Sequence, residues 1–106
     1  MAVFNRKLID EKAKVFKALG HPTRLLLVEK LAAGECCVCE LVALAGVDFS
    51  TVSRHLSLLK EAGIIRDEKR GQKVFYRLEL PCVIRFDSCV EAALQAQLEA
   101  KIARRQ

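Results

Sequence analysis

Residues 48–63, DFSTVSRHLSLLKEAG, constrain this chain more than any other stretch. Val52, Leu56 and Leu59 recur at i, i+4 and i+7, one apolar stripe on a 3.6-residue period. Asp48 is expected to cap the helix by accepting from free N–H groups two or three residues on. Gly63 ends the run, as a left-handed C-terminal residue should. Off the stripe lie Ser50, Thr51, Ser53, Arg54, His55 and Ser57, with no carboxylate before Glu61. A helix that only needs to be soluble usually mixes in acids. One that offers Ser, Thr and Arg near its N-terminus suits a groove lined with phosphates and base edges.

The flanks sharpen that reading. A short helix is expected over about 37–45, and Gly46-Val47 turns it into the long one, a helix-turn-helix spanning 37–63. After Gly63, residues 64–69 read as a strand, Arg70-Gly71-Gln72 as a turn and 73–80 as the returning strand. This hairpin, 64–80, is the wing of a winged helix-turn-helix, with Lys69, Arg70 and Lys73 near its tip. Charge follows the same map. Residues 1–48 carry seven basic and six acidic side chains, and residues 78–106 carry four of each. Residues 49–77 carry seven basic and only three acidic, so most of the +5 net charge sits on the helix and hairpin. Such localisation is what polyanion binding requires.

At 106 residues the chain is expected to form one domain, mainly α with a β-hairpin wing. Ile9, Ala13, Phe16 and Leu19 give an amphipathic first helix over about 7–19. Thr23 is expected to cap a second helix through Leu31. Pro81 opens a last helix over about 83–104. Its Cys82, Phe86, Cys89, Ala93, Ala96 and Ala100, flanked by Val90, Leu94 and Leu98, make a wide apolar face. A face that wide at the end of so small a domain calls for a partner helix. Segments 1–20 and 82–106 are therefore expected to form a homodimer about a two-fold axis. No apolar run of 18 residues occurs, so no membrane span is expected. The charged N-terminus lacks the apolar core of a signal peptide, which predicts a cytoplasmic protein. In that compartment Cys36, Cys37, Cys39, Cys82 and Cys89 are not expected to form structural disulfides. Metal ligation, redox sensing and burial stay open. The cysteines are not C-x-x-C on a βαβ background and no acid/base partner accompanies them, so no enzyme activity is expected.

FKALGHPTRLLLVEKL, GECCVCEL, STVSRHLSLLKEAGII and GQKVFYRL together resemble the ArsR/SmtB family of bacterial metal-responsive repressors over about residues 13–80. The resemblance implies a homodimeric winged helix-turn-helix that binds double-stranded operator DNA without a cofactor and releases it when a thiophilic inducer binds. CVCEL, residues 37–41, matches the inducer box of the arsenic- and antimony-sensing members, which implies arsenite or antimonite as inducer. A further cysteine that often follows is replaced by Val42, and Cys36 stands where a Leu is usual. The zinc-sensing members place His and carboxylates on the last helix. This chain has only His21 and His55, so that type of zinc site is not expected.

Arsenite, antimonite, Cd(II), Pb(II), reactive sulfur and oxidants all act on thiols of this kind. Cys36, Cys37 and Cys39 are the candidate ligands, with Cys82 and Cys89 a possible secondary thiol site or buried interface residues. On a straight helix Cys37 and Cys39 stand about 200° apart and cannot meet. Their joint ligation therefore implies a helix end that is unwound, or that unwinds on binding. DNA contact is expected from Ser50, Thr51, Ser53, Arg54 and His55 in the groove and from Lys69, Arg70 and Lys73 at the wing.

Overall fold

The computed structural model describes residues 5–105. The order is α1 (Arg6–Leu19), α2 (Pro22–Ala32), β1 (Cys36–Cys37), α3 (Val38–Ala45), α4 (Phe49–Glu61), β2 (Ile65–Arg70), β3 (Lys73–Leu78) and α5 (Cys82–Arg105). Residues 1–4 and 106, the outer ends of the expected dimerisation segments, lie outside the described residues.

The α4 stripe is the centre of the core. Val52, Leu56 and Leu59 are fully buried, with Leu27 and Val28 of α2, Leu41 of α3 and Ile64. Burying a Leu or Val side chain is worth about 1.5–3 kcal/mol, so these contacts hold α2, α3 and α4 together. The helix ends in a Schellman motif. Gly63 takes φ +82°, its N–H donates to Lys60 O, and Ile64 N–H donates to Leu59 O. Gly46, at φ +70°, closes α3 and opens the three-residue turn into α4.

Two caps differ from expectation. His21, not Thr23, caps α2: its Nδ1 accepts from Thr23 N–H at 3.1 Å, and Pro22 takes the first helical position. Asp48 occupies the N-cap of α4 but makes no side-chain bond to the backbone there. Its carboxylate accepts instead from the hydroxyls of Ser50 and Thr51. Those two hydrogen bonds hold the carboxyl down at about 2.

The larger difference is β1. Residues 36–37 are not the start of a helix but extended backbone that pairs antiparallel with β3, Cys36 with Tyr76 and Cys37 with Phe75. β2 pairs with the other edge of β3, so the sheet order is β1-β3-β2 and the wing is three-stranded. α5 runs along α1 and α2 with only Val83 buried. Phe86, Val90, Leu94, Leu98 and Ile102 form an exposed stripe, continued on α1 by Phe16, whose ring packs edge-on against Phe86 at 5.7 Å. Among the described residues no helix is long and apolar enough to cross a membrane.

Candidate thiol site and nucleic-acid interface

Because Cys37 is the extended N-cap of α3 and Cys39 its second residue, the two are not on one straight helix. Their Cα atoms lie 5.4 Å apart and their sulfurs are joined as a disulfide. Two expectations are corrected here. The helix expected from residue 37 starts instead at Val38, so its end is already unwound at Cys37, and the strand-to-helix junction turns Cys37 toward Cys39 without further unwinding of α3. And the pair is a disulfide, which the reading of the cysteines as reduced thiols did not anticipate.

Cys36 does not join them. Successive side chains of a strand point to opposite faces, so Cys36 turns away from Cys37 and into the core, where it is 3% exposed. Its Sγ donates to Gly34 O at 3.6 Å. Burial pushes the Cys36 thiol up, with the Glu40 carboxylate adding to the effect. Glu40, in the first turn of α3, also stands with Oε1 3.5 Å from Cys37 Sγ. Among the described residues no three His, Cys, Asp or Glu side chains are grouped to hold a metal ion. The expected three-sulfur cluster is thus two sulfurs and a core cysteine. Cys82 and Cys89 are exposed, free thiols on α5. Seven residues of helix separate them by about 10 Å of rise, so they make no pair within one chain.

The α4 residues expected to face DNA sort into three groups. Ser50 and Thr51 spend their single hydroxyl protons on Asp48, which leaves them lone pairs to accept with. Arg54 is exposed and in no ion pair among the described residues, and Ser53 is half-buried. His55 turns inward: its ring lies 4.5 Å from that of His21, and its Nδ1 is 3.3 Å from an Arg24 guanidinium nitrogen. Burial holds the His55 ring below its ordinary value, with His21 and the Arg24 and Arg54 charges acting in the same direction. His55 therefore belongs to the seam between α2 and α4. At the wing, Lys69 and Lys73 are exposed and in no ion pair among the described residues. Arg70 is committed elsewhere. It forms a fork with Glu35 at 2.6 and 2.7 Å and bonds Glu68 at 3.1 Å.

Phe49 escaped the sequence reading. It opens α4 and is 59% exposed, an apolar side chain beside the residues expected to contact DNA. Its position just after the helix cap was the available signal.

Comparison with known proteins follows this geometry. Residues 21–67 match the family described as bacterial regulatory protein, arsR family. The chain is similar to an uncharacterized HTH-type transcriptional regulator of Methanocaldococcus jannaschii, 41% identical over 68 residues, 63% of this chain and 76% of that protein. It is also similar to the arsenic resistance transcriptional regulator ArsR1 of Pseudomonas putida, 38% identical over 86 residues, 80% of this chain and 67% of that one. Among solved structures, a homodimeric winged helix-turn-helix DNA-binding domain from Mycobacterium bovis, a possible ArsR-family regulator, superposes with a TM-score of 0.79. That similarity has 30% identity and covers 94% of this chain and 95% of that one.

Proposed function

From the premise that the chain belongs to the arsR family of bacterial regulatory proteins, we propose that it is a homodimeric repressor whose operator is released when arsenite or antimonite bridges Cys37 and Cys39. It is a DNA-binding regulator and not an enzyme. The observation that carries the inducer reading is the approach of Cys37 and Cys39 at the head of α3, the helix that leads into α4. Arsenic(III) bonds readily to sulfur: the two reduced thiols replace two hydroxyls of arsenite, each hydroxyl leaving as water with a thiol proton, and the third hydroxyl stays on arsenic. An ArsR-type arsenic resistance regulator is among the relatives, which supports the same inducer class.

The DNA reading rests on where free charge remains. Arg54 and the start of α4 enter the major groove, Phe49 offers apolar contact to a thymine methyl, and Lys69 and Lys73 hold the backbone beside it. Two copies related by a two-fold axis set their α4 helices on half-sites about 34 Å apart or a multiple of that. Segments 1–20 and 82–106 supply the dimer, residues 37–63 the helix-turn-helix and 64–80 the wing, all within one cytoplasmic domain. The exposed stripe Phe86, Val90, Leu94, Leu98 and Ile102 supports the dimer half of this proposal.

A second reading has its own observation. The Cys37–Cys39 disulfide favours a switch thrown by an oxidant or by reactive sulfur, in which the two thiols give up two electrons and two protons. Cd(II) and Pb(II) fare less well, because among the described residues no third thiol stands with the pair. Titrating reduced protein on a labelled operator with arsenite, antimonite, Cd(II) and diamide separates these readings. Release at low arsenite is the expected result. Release by Cd(II) or diamide with none by arsenite would overturn it.

A further inference from the structure

The strand β1 makes the thiol segment part of the wing. Glu35 and Cys37 are two residues apart and so share one side of that edge. Cys37 stands opposite Phe75, and Phe75 opposite Glu68 on β2. Arg70, two residues beyond Glu68, lies over the Phe75 ring at 4.7 Å and reaches across to Glu35 with both terminal nitrogens. One side chain thus spans all three strands, from the last residue of β2 to the residue before β1. Glu68 closes the arrangement, and the two carboxylates, Glu35 first, push the Arg70 guanidinium up.

An exposed ion pair is usually worth about 0–1 kcal/mol and means little for stability. This one differs in geometry and in what it joins. The fork is bidentate and the guanidinium is backed by an aromatic face, both of which fix direction. Its ends belong to the segment carrying Cys37 and to the tip of the hairpin, 35 residues apart in sequence.

We infer that Glu35 and Arg70 are a positioning pair that couples the Cys37–Cys39 site to the wing, so that a change at the thiols resets the angle of the hairpin on DNA. The inference rests on the reading above that Cys37 and Cys39 receive the signal. When the two reduced thiols take the place of two hydroxyls of arsenite, each hydroxyl leaving as water with a thiol proton, the inserted arsenic holds apart two sulfurs that are directly joined in the structure, and Glu35 sits two residues back from Cys37, just before β1. Its rigid fork transmits that change to Arg70 at the hairpin tip. The pair costs the wing tip a cation: Arg70 is held by acids, while Lys69 and Lys73 beside it remain for phosphate.

The test is a coupling ratio, operator affinity without arsenite divided by affinity with it, in reduced wild-type protein and in Glu35→Gln. Arsenite binding itself is followed separately by sulfur-to-arsenic absorbance, and thermal midpoints are recorded in parallel. A wild-type ratio between about 5 and 150 is the usual range for such coupling. Glu35→Gln should bind arsenite as wild type does and operator at least as tightly, since Arg70 is released toward phosphate, yet show a ratio reduced at least threefold. The reversed pair, Glu35→Arg with Arg70→Glu, should restore the ratio toward wild type, which a purely structural role would not require. An unchanged ratio in Glu35→Gln, or no restoration in the reversed pair, would overturn the coupling role while leaving the thiol site intact. If wild type releases operator to diamide and not to arsenite, the arsenite reading fails and the same ratios are measured against diamide. Release by neither agent would overturn both.

Discussion

The chain carries thiols in two regions, and the contrast between them is instructive. Cys37 and Cys39 sit at a junction where strand becomes helix, and their sulfurs are joined. Cys82 and Cys89 sit on one uninterrupted helix, exposed and apart. Residue spacing alone would rank them the other way, since positions i and i+7 share a helix face and i and i+2 do not. What decides is the backbone. An extended residue followed by a helical one brings i and i+2 together, whereas a continuous helix holds i and i+7 about 10 Å apart. In the first region the backbone brings two sulfurs together. In the second the helix leaves its thiols beside an exposed apolar stripe, the surface proposed to pair with a second copy.

The contrast is broken most severely by attacking that surface. Leu94, 57% exposed, lies mid-stripe on α5. Leu94→Asp should give a monomer by analytical ultracentrifugation and lower operator affinity by roughly a hundredfold, because two linked half-sites gain about 10²–10⁴ over one. A dimer that persists would move the interface elsewhere and leave the α5 stripe unexplained.

A smaller effect tests the helix that the first region supports. Arg54→Ala should weaken specific binding by about 1–3 kcal/mol if the side chain reads a base. Lys73→Ala should instead lower the salt slope by about one unit across all sequences. Equal losses on operator and random DNA for Arg54→Ala would reassign it to phosphate.

Cys36 sharpens the comparison from inside the first region, since it neighbours the pair in sequence and yet packs in the core. Cys36→Ser should cost about 1–2 kcal/mol in urea unfolding, the penalty of a hydroxyl in an apolar site. Arsenite-driven release should survive. The pH dependence has a fixed sign. The folded thiol lies above its ordinary 9.0, so its contribution is complete below pH 9 and is lost as pH rises through the folded value. Between pH 8.5 and 10.5 wild type should therefore lose more stability than Cys36→Ser. The reverse order would show that Cys36 ionises readily in the folded protein.

Much of this architecture is legible in the residues. The period of Val52, Leu56 and Leu59 and the stop at Gly63 are local signals met in the fold, and the turn expected at Arg70-Gly71-Gln72 forms one residue shorter, with Arg70 still in β2. What could not be read depends on partners far along the chain. β1 is two residues long and exists because β3 offers it an edge some 40 positions later. Arg70 looks like a phosphate contact by position and charge, until Glu35 is brought beside it. His55 faces the expected groove by helical phase, until His21 and Arg24 draw its ring into a seam. Asp48 shows a subtler miss: the capping position is right, but two hydroxyls reach the carboxylate before the backbone does. Thiol geometry belongs to the same class, because a single residue's change from helical to extended reverses whether Cys37 and Cys39 can meet.

That Cys37 and Cys39 are the switch, and the α5 thiols are not, is tested most directly by arsenite-driven release of a labelled operator under reducing conditions. The comparison runs wild type against Cys37→Ser, Cys39→Ser and the Cys82→Ser, Cys89→Ser double variant. Cys37→Ser and Cys39→Ser should bind operator normally and fail to release it at arsenite concentrations that free wild type. The α5 double variant should release it as wild type does. Release retained by Cys37→Ser and lost in the α5 variant would place the sensing site on the dimer helix and contradict the account.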